Sequence, residues 1–216
     1  MKFKLFSSFV LVLTVAFFHF FSGCTRVPNP TVVYPVVPPQ VILSNGSNGN
    51  WFGNTLTNET SGFTVTAAPT TAISDPISGD SSTLVLSAIK TCGYYFFSSS
   101  TAIIPTGYNS GHLQFDIMLG QPVTDYSSIE FHFSNSTGGS NESWQYISPP
   151  ATLLNNLSDT NFTHVSLPIS SFLASNGSTY EGGVAIDYPF EIKWCTNFSP
   201  AAPTTVILDN IIWTAN

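Results

Sequence analysis

Apolar and polar residues alternate along two stretches of the chain with the period of two that marks β-strands. The first runs from His112 to Leu119, and its apolar side chains occupy the odd-numbered positions. The second runs from Ile129 to Ser134 with the same arrangement. Because successive side chains of a strand point to opposite faces, each predicted strand has one face for a core and one for solvent.

Further segments carry the β-branched and aromatic residues typical of strands. They lie at 62–67, 83–89, 94–98, 144–147, 164–167, 183–186, 191–196 and 206–213. Clusters of Asn, Gly, Ser and Thr separate strand segments, and they predict turns at 44–49, 137–139 and 175–177. Roughly eight to ten strands punctuated in this way predict an all-β, two-sheet antiparallel sandwich over residues 41–216.

The first 23 residues have the pattern of a secretory signal peptide. Lys2 and Lys4 precede an apolar run from Leu5 to Phe21, and small residues follow it. An uncleaved transmembrane anchor is the alternative, but a run of about 17 residues lies at the lower limit for crossing a bilayer. We therefore expect the protein to be exported.

The junction Phe21-Ser22-Gly23-Cys24 resembles the lipobox of bacterial lipoproteins. The resemblance implies cleavage before Cys24 and lipidation of that cysteine, which would anchor the chain at the outer membrane or cell surface. Residues 24–40 contain five prolines among Val and Thr. That composition favours an extended spacer between the membrane and the domain.

Charge excludes one large class of partners. Only 8% of the residues are charged, and the formal net charge is −7. Five Lys and Arg cannot build a basic patch for phosphates, so nucleic acid is not a partner. The 18 Phe, 8 Tyr and 4 Trp provide apolar area for a single core. We expect a monomeric extracellular β-domain.

Two cysteines remain beyond Cys24. In an exported chain, we expect Cys92 and Cys195 to form a disulfide. Closing a loop of about 100 residues would stabilise the fold by roughly 4 to 5 kcal/mol. Neither cysteine belongs to a Cys-x-x-Cys motif or lies at ligand spacing from a histidine, which disfavours metal or thiol chemistry. Two buried free thiols are the alternative.

Three segments resemble, in order, the motifs of galactose-binding-like carbohydrate-binding jelly rolls. They are GYNSGHLQFDI at 107–117, FTHVSLPISSF at 162–172 and VILDNI at 206–211. Together they span most of residues 41–216. The resemblance implies a jelly-roll sandwich whose function is to bind a glycan without catalysis.

Asp209 stands in the middle of an apolar segment, where an unpaired carboxylate would be costly. In the modules that the chain resembles, a matching Asp often helps to hold a structural calcium ion, with further oxygens from the first strand and from backbone carbonyls. Here Ser44 and Asn45 stand near the position where an acidic first-strand ligand is common. The resemblance thus implies calcium at Asp209, and an aspartate satisfied by hydrogen bonds is the alternative.

A glycan site needs planar polar side chains beside aromatic platforms. We expect the polar faces of the two alternating strands to line one sheet. Gln114 comes from the first strand, and Glu130 and His132 come from the second. These three residues are therefore candidate ligand contacts.

The aromatic candidates are Trp144 and Tyr146, which follow the second alternating strand. Tyr94 and Tyr95 are consecutive in a predicted strand, so one of them must face away from the core; Tyr95 is the candidate contact. Packing within the core is the alternative for each aromatic residue, Trp194 included.

The leading hypothesis is a non-catalytic carbohydrate-binding module that is tethered to the cell envelope as a lipoprotein and binds a polysaccharide or other glycan. A structural or adhesive surface lipoprotein with the same fold and no glycan ligand is the alternative. A glycoside hydrolase is a third hypothesis, in which Asp116 and Glu130 would form the carboxylate pair. The sequence lacks the E-x-D-x-x-E run of jelly-roll glucanases.

Overall fold

The computed structural model describes residues 37–59, 65–89, 91–135, 142–148, 156–197 and 203–216. They all belong to the compact unit Val36–Asn216. The predicted signal peptide, Cys24 and most of the predicted spacer lie outside the described residues. Within the described ranges, no helix is both long and apolar enough to cross a bilayer.

The first sheet contains, among the described residues, seven strands. Their bounds are β1 Gln40–Ser44, β2 Ser47–Asn48, β5 Val65–Thr70, β6 Thr83–Ala88, β8 His112–Leu119, β11 Thr163–Pro168 and β14 Thr204–Thr214. The strand order is β11-β8-β14-β1-β2, with β6 also paired to β14 and β5 to β6. Every described pairing is antiparallel.

The second sheet also has seven strands in the part of the chain that the structure describes. Their bounds are β3 Asn50–Trp51, β4 Asn54–Glu59, β7 Cys92–Ser99, β9 Tyr126–Asn135, β10 Glu142–Ser148, β12 Leu173–Ala174 and β13 Tyr188–Thr196. The order is β12-β10-β9-β13-β7-β4-β3. Two antiparallel sheets confirm the predicted all-β sandwich.

The core lies between the sheets and is rich in aromatic rings, as the composition predicted. The odd-numbered residues of β8 and of the second alternating segment are fully buried, which confirms the predicted core face of both strands. The opposite faces are not fully open to solvent, because Asp116 and His132 are buried as well. Phe115 and Phe131 meet from opposite sheets with ring centroids 4.5 Å apart, and Phe190 packs against both. The segment 183–186 is not the predicted strand; Ile186 makes only an isolated bridge with Ile103.

Cys92 and Cys195 form the predicted disulfide. They lie directly opposite each other on β7 and β13, with their Cα atoms 4.1 Å apart. Because side chains alternate along a strand, Tyr94 and Lys193 share the face of the disulfide, whereas their neighbours point into the core. The disulfide thus marks the outer face of the second sheet.

Candidate functional site

The candidate site lies on the outer face of the second sheet. We call it the aromatic face and define it by side chains of β7, β9 and β13 that point away from the core: Tyr94, Phe96, Glu130, His132, Ser134, Tyr188, Glu191 and Lys193. The intervening residues Tyr95, Phe131 and Ile192 are fully buried between the sheets. Strand alternation therefore separates the aromatic face from the core, except at Tyr188, which precedes a register shift in β13.

Three aromatic rings form a row across this face. The ring centroids of Tyr94 and Phe96 are 5.7 Å apart, and those of Phe96 and Tyr188 are 5.1 Å apart. Phe96 is buried beneath its neighbours, whereas Tyr94 and Tyr188 are partly exposed. Partly exposed rings provide the flat apolar surface on which the C–H face of a sugar ring can stack.

An ion pair stands beside the aromatic row. The Nζ atom of Lys193 lies 3.1 and 3.2 Å from the two carboxylate oxygens of Glu130. These residues are paired across β13 and β9, and the lysine side chain is 35% exposed. The pair therefore presents a cation and an anion to a ligand without adding net charge to the face.

His132 extends the polar network. Its Nε2 atom lies 3.3 Å from Oε2 of Glu130, and its Nδ1 atom lies 3.5 Å from Oγ of Ser143. Burial lowers the pKa of His132 below its usual range, although Glu130 opposes that shift. The imidazole is therefore neutral at neutral pH, with Nε2–H donating to Glu130 and Nδ1 available to accept from Ser143.

Glu191 lies beneath the face and is only 4% exposed. Its Oε2 atom accepts a hydrogen bond from the Tyr94 hydroxyl, and its Oε1 atom accepts one from Ser134 Oγ. Burial raises the pKa of Glu191 to about 8. At neutral pH its carboxyl group is thus largely uncharged, and together with the ion pair and the neutral imidazole it leaves the face without net charge.

Tyr95, a predicted ligand contact, is not on the aromatic face. It is 0% exposed, its ring centroid lies 5.4 Å from that of Phe97, and burial raises its pKa. Its hydroxyl has no hydrogen-bond partner among the described residues. The outward residue of the pair is Tyr94, so the prediction for Tyr95 is wrong.

Trp194 belongs to the core as well. Its indole lies over Gly93, where an added Cβ would come within 2.2 Å of the ring. Glycine at that position leaves the space that the indole fills. Packing in the core, the alternative weighed from the sequence, is correct for Trp194.

Gln114 lies on the first sheet, not beside Glu130 and His132. Its Nε2 atom donates to Oγ1 of Thr214 at 3.4 Å. The expectation that the two alternating strands line one sheet is wrong, because β8 and β9 belong to different sheets. The same separation places the Asp116 and Glu130 carboxylates in different sheets, so they do not form the pair considered for a glycoside hydrolase.

Trp144 and Tyr146 lie on β10, next to β9. The register pairs Gln145 with His132, Trp144 with Phe133 and Tyr146 with Phe131. The side chains of Trp144 and Tyr146 lie outside the described residues, so their roles as ligand contacts stay predictions.

A second polar cluster lies on the outer face of the first sheet. We call it the acid cluster; it consists of Asp75, Asp116 and Asp209, all fully buried. Asp116 and Asp209 are paired across β8 and β14. Oδ1 of Asp116 lies 2.7 Å from Nδ1 of His164, and its Oδ2 accepts from Nδ2 of Asn210 at 3.2 Å.

Asp209 is less well satisfied than Asp116. The backbone amides of Gly46 and Asn210 donate to its carboxylate, the Gly46 bond being long at 3.5 Å, and its Oδ2 atom has no partner within the described part of the chain. Burial raises the pKa of Asp209 to about 6, and Asp80 and Asp75 add to that shift. A carboxylate in this position favours a proton or a cation.

The surroundings of Asp209 supply part of a calcium site. Asp80 accepts hydrogen bonds from Oγ of Ser44 at 3.2 Å and from the amide of Asn45 at 2.8 Å, so an acidic residue stands beside the first strand after all. The unpartnered oxygen of Asp209 suits a hard cation. However, no three His, Cys, Asp or Glu side chains of the described ranges form a metal-binding group. Calcium at Asp209 stays a prediction.

No protein-family model and no curated protein sequence matches the chain. Solved structures do resemble it. The family 11 carbohydrate-binding module of the cellulosomal cellulase Lic26A-Cel5E of Clostridium thermocellum has a TM-score of 0.53 at 14% identity, covering 84% of this chain and 97% of that one. The family 30 carbohydrate-binding module of the cellulosomal cellulase Cel9D-Cel44B of Clostridium thermocellum has a TM-score of 0.54 at 15% identity, covering 83% and 99%.

At these identities the likeness shows the fold. The chain has the β-sandwich jelly roll of carbohydrate-binding modules, which confirms the fold expected from the three sequence motifs.

Proposed function

We propose that the protein is a non-catalytic carbohydrate-binding module that binds its glycan on the aromatic face. The observation that carries the proposal is the row of Tyr94, Phe96 and Tyr188 beside the Glu130–Lys193 pair. Sugars present apolar C–H faces fringed by hydroxyl groups, and this arrangement matches both. The likeness to two families of carbohydrate-binding modules supports the same function.

The ligand would be held by two kinds of contact. Tyr94 and Tyr188 would stack against sugar rings, because both are partly exposed at the ends of the aromatic row. Glu130 would accept hydrogen bonds from sugar hydroxyls, and Lys193 would donate to them. Trp144 and Tyr146 remain candidates for further contacts from the neighbouring strand.

The module would act at the cell surface, held there by lipid on Cys24. The apolar run after Lys2 and Lys4 and the lipobox-like junction support this part of the proposal. Metabolic labelling with a palmitate analogue tests it. The wild-type chain should carry label and fractionate with membranes, whereas Cys24→Ser should do neither; labelled Cys24→Ser would refute lipidation at this residue.

Calorimetric titration of the purified protein with soluble β-glucans, galactans and xylans tests glycan binding. Alanine at Tyr94 or Tyr188 should weaken binding by about 1 to 2 kcal/mol, roughly tenfold, because a stacked ring is lost. Gln114→Ala is the matched control on the opposite sheet and should bind like the wild type. Trp144→Ala and Tyr146→Ala test the two predicted contacts on β10 in the same assay.

Two results would contradict the proposal. If the wild type binds none of these glycans and a broader glycan array also shows no binding, the result would support the alternative of a structural or adhesive surface protein without a glycan ligand. Release of new reducing ends from a bound glycan would instead show catalysis.

A further inference from the structure

Glu191 joins the two strands that flank its own. Its carboxyl group meets the Tyr94 hydroxyl of β7 on one side and the Ser134 hydroxyl of β9 on the other. At 4% exposure it is too deep to serve as a main ligand contact. Its contacts instead control a residue that is partly exposed, namely Tyr94.

Within the described ranges, Glu191 has no ion-pair partner. His132 lies opposite Glu191 on β9, and Glu130 lies two pairs further along, opposite Lys193. On β13 itself, Lys193 is engaged by both oxygens of Glu130. Burial is the cause that raises the pKa of Glu191 to about 8, so the carboxyl group is held by hydroxyl groups rather than by a cation.

We propose that Glu191 is a positioning residue of the glycan site, which fixes the Tyr94 ring as a stacking platform by holding its hydroxyl group. The proposal rests on the proposed function of the aromatic face. A partly exposed tyrosine would otherwise lose side-chain freedom when a sugar stacks on it, and that loss weakens binding. Because Glu191 already restricts the Tyr94 side chain in the free protein, less conformational entropy is lost when the glycan binds.

The same arrangement makes binding depend on pH. Below about pH 8 the carboxyl group is uncharged and is joined to the hydroxyl groups of Tyr94 and Ser134 by neutral hydrogen bonds. Above that pH it becomes a carboxylate, which accepts stronger, charge-assisted hydrogen bonds from the same two hydroxyl groups and holds Tyr94 more firmly. Affinity should therefore rise modestly as the pH rises through about 8.

Titrations with the panel of soluble β-glucan, galactan and xylan from pH 5 to pH 10 test the proposal. Wild-type affinity should rise by up to about fivefold as Glu191 ionises, because hydrogen bonds to a charged acceptor are stronger than neutral ones. Glu191→Gln keeps a neutral acceptor and should bind within about twofold of the wild type at pH 6, without the rise at high pH. Glu191→Ala and Tyr94→Phe keep the stacking ring and should each weaken binding about threefold to fivefold at pH 6, less than Tyr94→Ala, and the double variant should be no weaker than either one.

The proposal is overturned if Glu191→Gln retains the wild-type pH profile, or if the effects of Glu191→Ala and Tyr94→Phe add. A readout without glycan separates it from the proposed function. The ring signals of Tyr94 in carbon-13 NMR should titrate with a midpoint near pH 8 in the wild type and not in Glu191→Gln. Absence of glycan binding would overturn the proposed function, whereas a ring signal that does not titrate would overturn the role of Glu191.

Discussion

Carboxyl groups are buried on both outer faces of the sandwich, but their ion-pair and hydrogen-bond partners differ between the two faces. On the aromatic face, Glu130 pairs with Lys193, and Glu191 is held by two hydroxyl groups. In the acid cluster, Asp75 and Asp209 each keep one buried oxygen that has no partner in the described ranges. The first arrangement is complete without a ligand, whereas the second favours a proton or a cation.

The difference predicts how each face responds to its surroundings. A satisfied polar network is stable and pre-organised, as a face that binds an uncharged ligand requires. Buried carboxyl groups that lack a cation destabilise the fold when they ionise, so Glu191 and the acid cluster should both respond to pH, and only the acid cluster should also respond to divalent cations. Perturbing each cluster separately therefore tests the comparison.

The largest effect is expected for Glu191→Gln. The pKa of Glu191 rises from an ordinary value of 4.5 to about 8, so its contribution to stability is complete below pH 4.5 and is lost as the pH rises through 8. Between pH 5 and pH 9 the wild type should lose about 4 kcal/mol relative to Glu191→Gln. Urea unfolding of both proteins at the two pH values measures this. Parallel pH profiles for the two proteins would contradict the uncharged state of Glu191.

Calcium should act on the acid cluster and not on the aromatic face. A calcium concentration about 100 times the dissociation constant would stabilise the fold by about 2.7 kcal/mol. The thermal midpoint should therefore rise by roughly 5 to 10 °C relative to a chelator, and Asp209→Asn should abolish the rise. Magnesium is the control, because it accepts such irregular oxygen sites less readily. Equal midpoints in calcium and chelator would show that Asp209 is satisfied without that metal.

Without divalent cations, Asp209→Asn should stabilise the protein at neutral pH. The pKa of Asp209 rises from 3.8 to about 6, so its contribution is complete below pH 3.8 and is lost as the pH rises through 6. This shift corresponds to a difference of about 2 kcal/mol between pH 4 and pH 7. Chemical unfolding in chelator measures it, and a destabilised Asp209→Asn at pH 7 would contradict the account.

The smallest effect is expected for Lys193→Met. The lysine is partly exposed, so loss of its pair with Glu130 should lower stability by less than about 1 kcal/mol. The difference should shrink in 1 M salt, which screens such pairs. Urea unfolding at low and high salt measures this difference. A loss of several kcal/mol in the free energy of unfolding that is the same at both salt concentrations would contradict the weak pair that the geometry indicates.

Strand periodicity predicted the fold well because it reports which residues face a core. The buried residues of β8 and β9 and the disulfide between Cys92 and Cys195 follow from local pattern and cysteine count. Periodicity does not tell which sheet a strand joins, so it cannot separate Gln114 from Glu130. It also leaves open which residues of a uniformly aromatic strand face outward, so it does not distinguish Tyr94 from Tyr95.

Other parts of the site could not be predicted because they depend on contacts between distant segments. Tyr188 precedes a register shift in β13, so alternation along that strand does not place it next to Phe96. Asp75 reaches the acid cluster from the connection between β5 and β6, which carries no strand pattern. The position of Cys195 could have located part of the site from the sequence. Side chains two residues apart on a strand share a face, so Lys193 and Glu191 lie on the face of the disulfide.

NMR of the isotope-labelled protein during titration with the soluble glycan that binds tests the central claim most directly. If the aromatic face is the binding site, the ring signals of Tyr94 and Tyr188 and the backbone signals of β7, β9 and β13 should shift, while those of β8 and β14 stay in place. Shifts confined to the first sheet around Gln114 and Asp116 would contradict this account and move the site to the opposite face.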